Sequence, residues 1–216
     1  MGIQGIFTRT LDSALLNDSV DIAVHSMKDV PTILATGLTQ LAVLKRGPVN
    51  DLLVFKNQAV EQTFYQSSND PQFAFTVATS SLRRKAQWLH RFPHHRIESL
   101  RGNISTRLQK LQTEPWQAAI FAQAGLERIN LRPAHSIELE WLLPAPAQGA
   151  IMVVGRNNEP WLKEACTLLN DETTELCTRI EREFLRTLLG GCSAPIAAHA
   201  HWKDNTIEFE DRKSVV

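Results

Sequence analysis

Cysteine is scarce in this chain, three residues in 216, and the odd count with no C-x-x-C pair excludes a disulfide framework and a thiolate zinc site. An excess of either charge is lacking too: 23 Lys and Arg face 23 Asp and Glu, so no global field points to nucleic acid or to an acidic membrane surface. Any anion site must therefore be local. No apolar run approaches the roughly 20 residues of a membrane span. The opening MGIQG lacks the basic-then-apolar order of a secretory signal. Both phosphate cradles, G-x-x-x-x-G-K-[ST] and G-x-G-x-x-G, are missing, which removes the usual nucleotide sites. The expectation is a soluble, cytoplasmic protein with a locally built site and no membrane partner.

What is present is an alternation of strands and amphipathic helices. Phe7, Leu11, Leu15 and Leu16 recur at helical spacing, predicting a helix over 8–17 that leads into a short buried strand at 22–24. A strand is expected at 39–44. The polar RGPVND at 46–51 breaks it and marks a candidate crossing between domains. After an apolar run at 52–55, residues 57–71 read as a surface excursion. Strand 73–78, helix 81–92, strand 96–100, helix 104–112 and strand 118–122 then follow in regular order, which argues for an α/β fold with a mostly parallel sheet covered by helices. A strand at 150–154, helices at 159–169 and 172–189, and short strands at 196–202 and 206–209 complete the reading.

Chemistry concentrates at the ends of these strands. The stretch 21–32, DIAVHSMKDVPT, places a hydroxyl (Ser26), an ammonium (Lys28) and a carboxylate (Asp29) in one turn beyond a strand's carboxyl end, where open α/β sheets put their ligand crevice. Asp29 as a helix cap and Lys28 as a solvated charge is the plainer alternative. At 79–84, TSSLRR joins a strand to a helix, with Thr79, Ser80 and Ser81 near the cap. Arg83 and Arg84 in the first helical turn oppose the helix dipole, which suggests a bound anion unless both point to solvent. A second junction, LRGNISTR at 100–107, supplies Arg101 and Arg107, and a third, AQAGLER at 122–128, supplies Arg128. Five guanidinium groups favour a ligand with many carboxylates. Cys192 follows Gly190 and Gly191 on an irregular turn; facing cationic groups it would be a usable nucleophile, and alone it would be an inert buried thiol. Cys166 and Cys177 are read as inert. His199 and His201 share a strand face but lack a third ligand, so no metal is expected.

These segments, with AGLER at 124–128, LPAPAQGA at 143–150 and EFLRTLLGGCSAP at 183–195, together resemble the porphobilinogen deaminase (hydroxymethylbilane synthase) family, in family order over nearly the whole chain. The resemblance implies a transferase of tetrapyrrole and heme biosynthesis that joins four porphobilinogen molecules head to tail, releases ammonia at each step and yields hydroxymethylbilane. It implies a dipyrromethane cofactor held by a thioether to Cys192, with Asp29 as the catalytic group. Lys28, Ser26, Thr79, Ser80, Ser81, Arg83, Arg84, Arg101, Arg107 and Arg128 are then the cofactor- and substrate-binding residues that hold acetate and propionate side chains. The implied fold has two periplasmic-binding-protein-like lobes with the cleft between them and a small α+β C-terminal domain. Here these correspond to 1–46 with 150–169, to 50–145, and to 172–216 with the cofactor cysteine; a monomer is expected. The family precedes the first helix with a strand–helix–strand unit and continues beyond the last strand, so a fragment lacking both is expected. The final DRKSVV reads like translated adapter sequence and is left out of the fold reading.

Two further readings stay open. A two-lobed binding protein for a polycarboxylate needs no thiol at 192, and an inactive fragment of the enzyme keeps the motifs without turnover. Nucleic-acid binding through 83–107 is disfavoured by the balanced charge and by the lack of interleaved exposed aromatics.

Overall fold

The computed structural model describes residues 6–68, 70–188 and 194–213. In chain order the elements begin with α1 (Ile6–Leu16), β1 (Ile22–Ser26), β2 (Leu38–Val43), β3 (Asp51–Phe55), α2 (Gln58–Ser67), β4 (Thr76–Ala78), α3 (Leu82–Arg91), β5 (Arg96–Glu98) and α4 (Ile104–Thr113). They continue with β6 (Ala118–Ala122), α5 (Gln123–Glu127), β7 (Ser136–Glu138), β8 (Ile151–Arg156), α6 (Pro160–Cys166), α7 (Glu172–Thr187), β9 (Ile196–Lys203) and β10 (Thr206–Lys213). The chain divides into two compact units, Met1–Pro48 with Pro144–Arg212, and Val49–Leu143 with Lys213–Val216. No helix among the described residues is long and apolar enough to cross a membrane.

The first unit is built on a three-stranded sheet in the order β1-β8-β2, with β8 antiparallel to both neighbours. Alternation sends Ala23, Leu38, Val43, Met152 and Val154 to one side, where Leu15 of α1, Met27 and Val30 complete an apolar cluster. The opposite side packs Leu41, Ala42 and Val153 against Leu162 and Cys166 of α6. Asp171 caps α7 by accepting from the Thr174 amide at 2.8 Å. Asp204 and Asn205, at φ 46° and 64°, make the tight connection of the β9–β10 hairpin, since these side chains tolerate left-handed backbone better than most. β10 runs through Lys213, three residues into the segment left out of the sequence reading.

The second unit holds a five-stranded sheet in the order β5-β4-β6-β3-β7. Its parallel part is β5-β4-β6, while β3 runs antiparallel to both β6 and β7. The expectation of a mostly parallel sheet is therefore corrected to a mixed one, because strands β3 and β7 enter from the opposite direction. Residues 57–71 also differ from expectation. The Asn57 side chain accepts from the Val60 amide at 3.0 Å and caps α2, and Phe64 on its inner face is buried against Phe55, Phe75 and Trp88. One apolar face hidden in a polar run was enough to make this a packed helix. β4 is shorter than the predicted 73–78, because Phe73 and Phe75 precede the ladder and join the same aromatic cluster. The short elements α5 and β7 were not anticipated.

Candidate functional site

In the first unit, β1 ends at Ser26 and the chain tightens into a single helical turn, Met27–Asp29, before Val30 returns to extended geometry. Pro31 disfavours helix at the residue before it and fixes where that turn stops. Met27 and Val30 are each 2% exposed and pin the turn to the core, and the Met27 amide donates to the Ala150 carbonyl at 3.0 Å. The intervening Lys28 and Asp29 point away: Lys28 Nζ lies 3.4 Å from Gln148 Oε1, and Asp29 is exposed. Among the described residues the Asp29 carboxylate makes no hydrogen bond or ion pair, so it is not the helix cap of the plainer reading. From α7, Arg182 donates to the carbonyls of Met27 at 3.2 Å, Val30 at 3.0 Å and Pro31 at 2.6 Å.

In the second unit the parallel strands β4, β5 and β6 bring three carboxyl ends to one sheet edge, and all eight predicted residues of that unit follow those ends. Ser80 laces two of the junctions together, donating to the Leu100 carbonyl at 3.0 Å while accepting from the Leu100 amide at 2.9 Å. Thr79 Oγ1 accepts from the Ser81 amide at 3.2 Å, and Ser81 Oγ caps α3 by accepting from the Arg84 amide at 3.4 Å. The three hydroxyls thus shape the turn. The amides of Leu82 and Arg83 find no acceptor among the described residues, as the first turn of a helix leaves them.

Arg83 and Arg84 were expected to hold a bound anion or else to point to solvent, and the structure shows that neither points to solvent. They are 4% and 7% exposed, and their Nη2 atoms clasp the two oxygens of Asp51, each at 2.7 Å. The Nη1 atoms donate to the carbonyls of Leu143 at 2.7 Å and Ile120 at 3.0 Å. Burial opposes ionisation of Asp51, but the Coulombic pull of Arg83 and then Arg84, with their hydrogen bonds, holds its carboxyl far below the usual range. The anion that two arginines in a first helical turn call for is supplied, in the first instance, by the chain itself. One carboxylate against two guanidinium groups leaves a net positive charge, and both Nε donors are buried without a partner.

Arg101 is exposed, and its guanidinium has no partner among the described residues. Arg107, half-buried, turns its Nε back to the Gly102 carbonyl at 2.7 Å, which sets its head group beside the turn that carries Arg101. Gly102 sits at φ 119°, and a Cβ there would meet Thr106 at 2.8 Å, so the tight turn requires glycine. Arg128 ends α5 and is exposed. Cys192 lies outside the described residues. His199 and His201 stack at 5.1 Å, and no group of three His, Cys, Asp or Glu among the described residues could hold a metal ion.

Three residues that matter were missed by sequence reasoning. Asp51 was assigned to a polar break, yet it opens β3 at 0% exposure; two arginines opposing a helix dipole were the signal that a buried acid had to exist. Arg182 and Glu181 were hidden in a helix read only for its apolar spacing. The arrangement as a whole offers an uncommitted carboxylate on a rigid turn in one unit. In the other it offers a pre-formed cationic edge, with two buried orphan donors, an exposed arginine and free helix amides, suited to carboxylate groups.

Comparison with known proteins gives a consistent picture. Residues 1–164 match the family model described as porphobilinogen deaminase, dipyromethane cofactor binding domain, and residues 175–210 match its C-terminal domain. A porphobilinogen deaminase of Chloroherpeton thalassium is 38% identical over 211 residues, covering 97% of this chain and 65% of the relative. One of Rubrobacter xylanophilus is 44% identical over 198 residues, covering 91% of this chain and 63% of the relative. The chain thus spans somewhat less than two thirds of the length of these curated relatives. Among solved structures, an ancestral cationic amino acid solute-binding protein superposes with a TM-score of 0.45 at 13% identity, covering 83% of this chain and 69% of that one.

Proposed function

The chain belongs to the porphobilinogen deaminase family, and from that premise we propose that the protein it represents is a hydroxymethylbilane synthase, condensing four porphobilinogen molecules into a linear tetrapyrrole. The observation that carries the proposal is the match of residues 1–164 to a domain described by its dipyromethane cofactor. Its cofactor, a dipyrromethane, supplies a covalent primer, and we assign its tether to Cys192. The residues fit such a group: every pyrrole brings carboxylates, and the cluster of Arg83, Arg84 and Asp51 keeps a net positive charge on the strand-end edge that also carries the first-turn amides of α3 and the exposed Arg101.

The chain's own residues divide the work. Arg83, Arg84, Arg101, Arg107 and Arg128 neutralise and position carboxylates, together with Lys28 and the first-turn amides of α3. Ser26, Thr79, Ser80 and Ser81 shape or line the two strand ends. Loss of ammonia from porphobilinogen leaves an electron-poor carbon, and the ring that attacks it becomes cationic before it loses its proton. Asp29, exposed and without a partner among the described residues, stabilises that positive charge through the pyrrole N–H groups, and its carboxylate takes part in the proton transfer. Segment 172–216 is proposed as the domain that presents the cysteine. A cytoplasmic monomer is the setting proposed.

The test is an intact mass of the protein against Cys192→Ser. The proposal expects an adduct of dipyrromethane mass on the first and none on the second; equal masses, corrected for the substitution, overturn the covalent step and leave a carboxylate-binding protein. Asp29→Asn should keep the adduct and lose turnover by on the order of 100-fold or more. Unchanged turnover in that variant rejects the assigned role.

A further inference from the structure

The turn that carries Asp29 is short, and one side chain from far along the sequence binds three of its carbonyls. We propose that Arg182 is a positioning residue for Asp29, fixing the carboxylate by gathering the carbonyls of the turn around one guanidinium. This rests on the role proposed for Asp29, and adds to it the question of what keeps that group in place.

The geometry is specific. Three carbonyls, those of Met27, Val30 and Pro31, converge on Arg182 at 3.2, 3.0 and 2.6 Å, Nη1 serving the first two and Nη2 the third. These acceptors bracket Asp29 on both sides, so the guanidinium spans the turn rather than touching one end of it. Carbonyl groups that converge on one point repel unless a donor lies between them, and a planar cation with forked donors supplies it. The turn's own backbone is tied by a bond from the Val30 amide to the Met27 carbonyl at 3.2 Å, and the Ser26 side chain makes no cap. The buried side chains of Met27 and Val30 fix the depth of the turn, while Arg182 fixes its curvature.

Arg182 is also built to be replaceable in a diagnostic way. Its side chain borders a cavity of about 160 Å3, lined also by Met27, Thr32, Gln40, Arg179 and Arg186. A guanidinium ion from solution can enter such a space when the side chain is cut back, which separates the loss of the donor fork from a general failure to fold.

The experiment compares Arg182→Ala, Arg182→Lys and Asp29→Asn in the full chain, with three readouts. Amide hydrogen exchange at 27–30 reads the turn with or without turnover. The expected result is faster exchange there in Arg182→Ala, unchanged exchange in Asp29→Asn, and unchanged protection in β8. In turnover of porphobilinogen, Arg182→Ala should lose kcat by on the order of 10- to 100-fold, the effect of misplacing a reacting group by about 1 Å, with KM within about twofold. Arg182→Lys should be intermediate, and millimolar guanidinium should restore part of kcat to Arg182→Ala alone. Normal exchange at 27–30 in Arg182→Ala overturns the positioning role, as does a change confined to KM, which would make Arg182 a substrate ligand. Failure of the Asp29 reading looks different: Asp29→Asn then turns over normally whatever Arg182 does.

Discussion

Glu181 on α7 offers the sharpest test of how the first unit is held together. It is 0% exposed, and its two oxygens accept four hydrogen bonds. Oε1 takes Arg46 Nη1 at 2.7 Å and the Ala200 amide at 2.7 Å, while Oε2 takes Arg46 Nη2 at 2.9 Å and the Ala147 amide at 2.6 Å. One carboxylate therefore joins the segment after β2, the segment before β8, and β9. In Glu181→Gln the shape is kept, but an NH2 group replaces one oxygen, and whichever way the amide turns, one arginine N–H and one backbone N–H face a donor. Each buried unsatisfied donor costs about 1–3 kcal/mol, and unpairing a buried charge about 3–5 kcal/mol. These overlap, so the expected loss is about 4 kcal/mol, or roughly 8–16 °C in Tm for a chain of this size. Urea unfolding followed by far-ultraviolet circular dichroism measures it. The double change Arg46→Met with Glu181→Met is the discriminating control. Replacing a buried ion pair with apolar side chains is often neutral, but here the amides of Ala147 and Ala200 still lose their acceptor, so about 2–6 kcal/mol stays lost. A Gln variant within about 1 kcal/mol of the parent, or a double variant as stable as the parent, refutes the four-donor account.

Two more outcomes follow from the same kind of reasoning. His95 is buried in the aromatic cluster, stacked on Phe92 at 4.8 Å and accepting from Trp88 Nε1 at 3.2 Å, and burial, then the charge of His94, lowers its pKa from 6.5 to about 4. The unfolded chain therefore takes the proton first: stability is complete above the ordinary histidine value and falls as pH drops toward 4, by about 3 kcal/mol at most. An NMR titration of the ring with its midpoint near the ordinary value would contradict this. Gly149 has φ 87°, and a Cβ on it would stand 2.6 Å from the Gly47 carbonyl oxygen and 2.8 Å from that of Pro48. Gly149→Ala combines left-handed strain with a backbone clash and should cost about 3–5 kcal/mol in urea unfolding; a loss under about 1 kcal/mol would mean that the two segments separate easily.

Much of the fold was legible because the physics behind it is local. The helix expected at 172–189, the hydroxyls placed near the cap of α3, and the break at Pro31 each depend on a few neighbouring residues and could be read directly. What could not be read was pairing across the sequence. Asp51 and Arg83 are 32 residues apart, Arg182 and Met27 are 155 apart, and no spacing rule links either pair. The same limit explains the sheet: a run such as LLVF at 52–55 has the same composition whether its strand runs parallel or antiparallel. The chain's neutral net charge directed attention to local clusters of guanidinium groups, but it concealed that two of the five already had a carboxylate.

That internal carboxylate strengthens the proposed role of Arg83 and Arg84. A guanidinium held by Asp51 and by a backbone carbonyl has lost its rotamer freedom during folding, so an anion drawn to the net charge of this cluster finds that charge already fixed in place. Arg101, exposed and without a partner among the described residues, must instead give up side-chain entropy of about 2 kcal/mol when it binds. Charge alone would rank the free arginine above the paired ones, since one of their two charges is cancelled. Preorganisation reverses the ranking. On the proposed reading, the interior pair then sets where the first carboxylates of the primer sit, and the exposed arginines follow the lengthening chain, where adaptability is worth more than a fixed geometry.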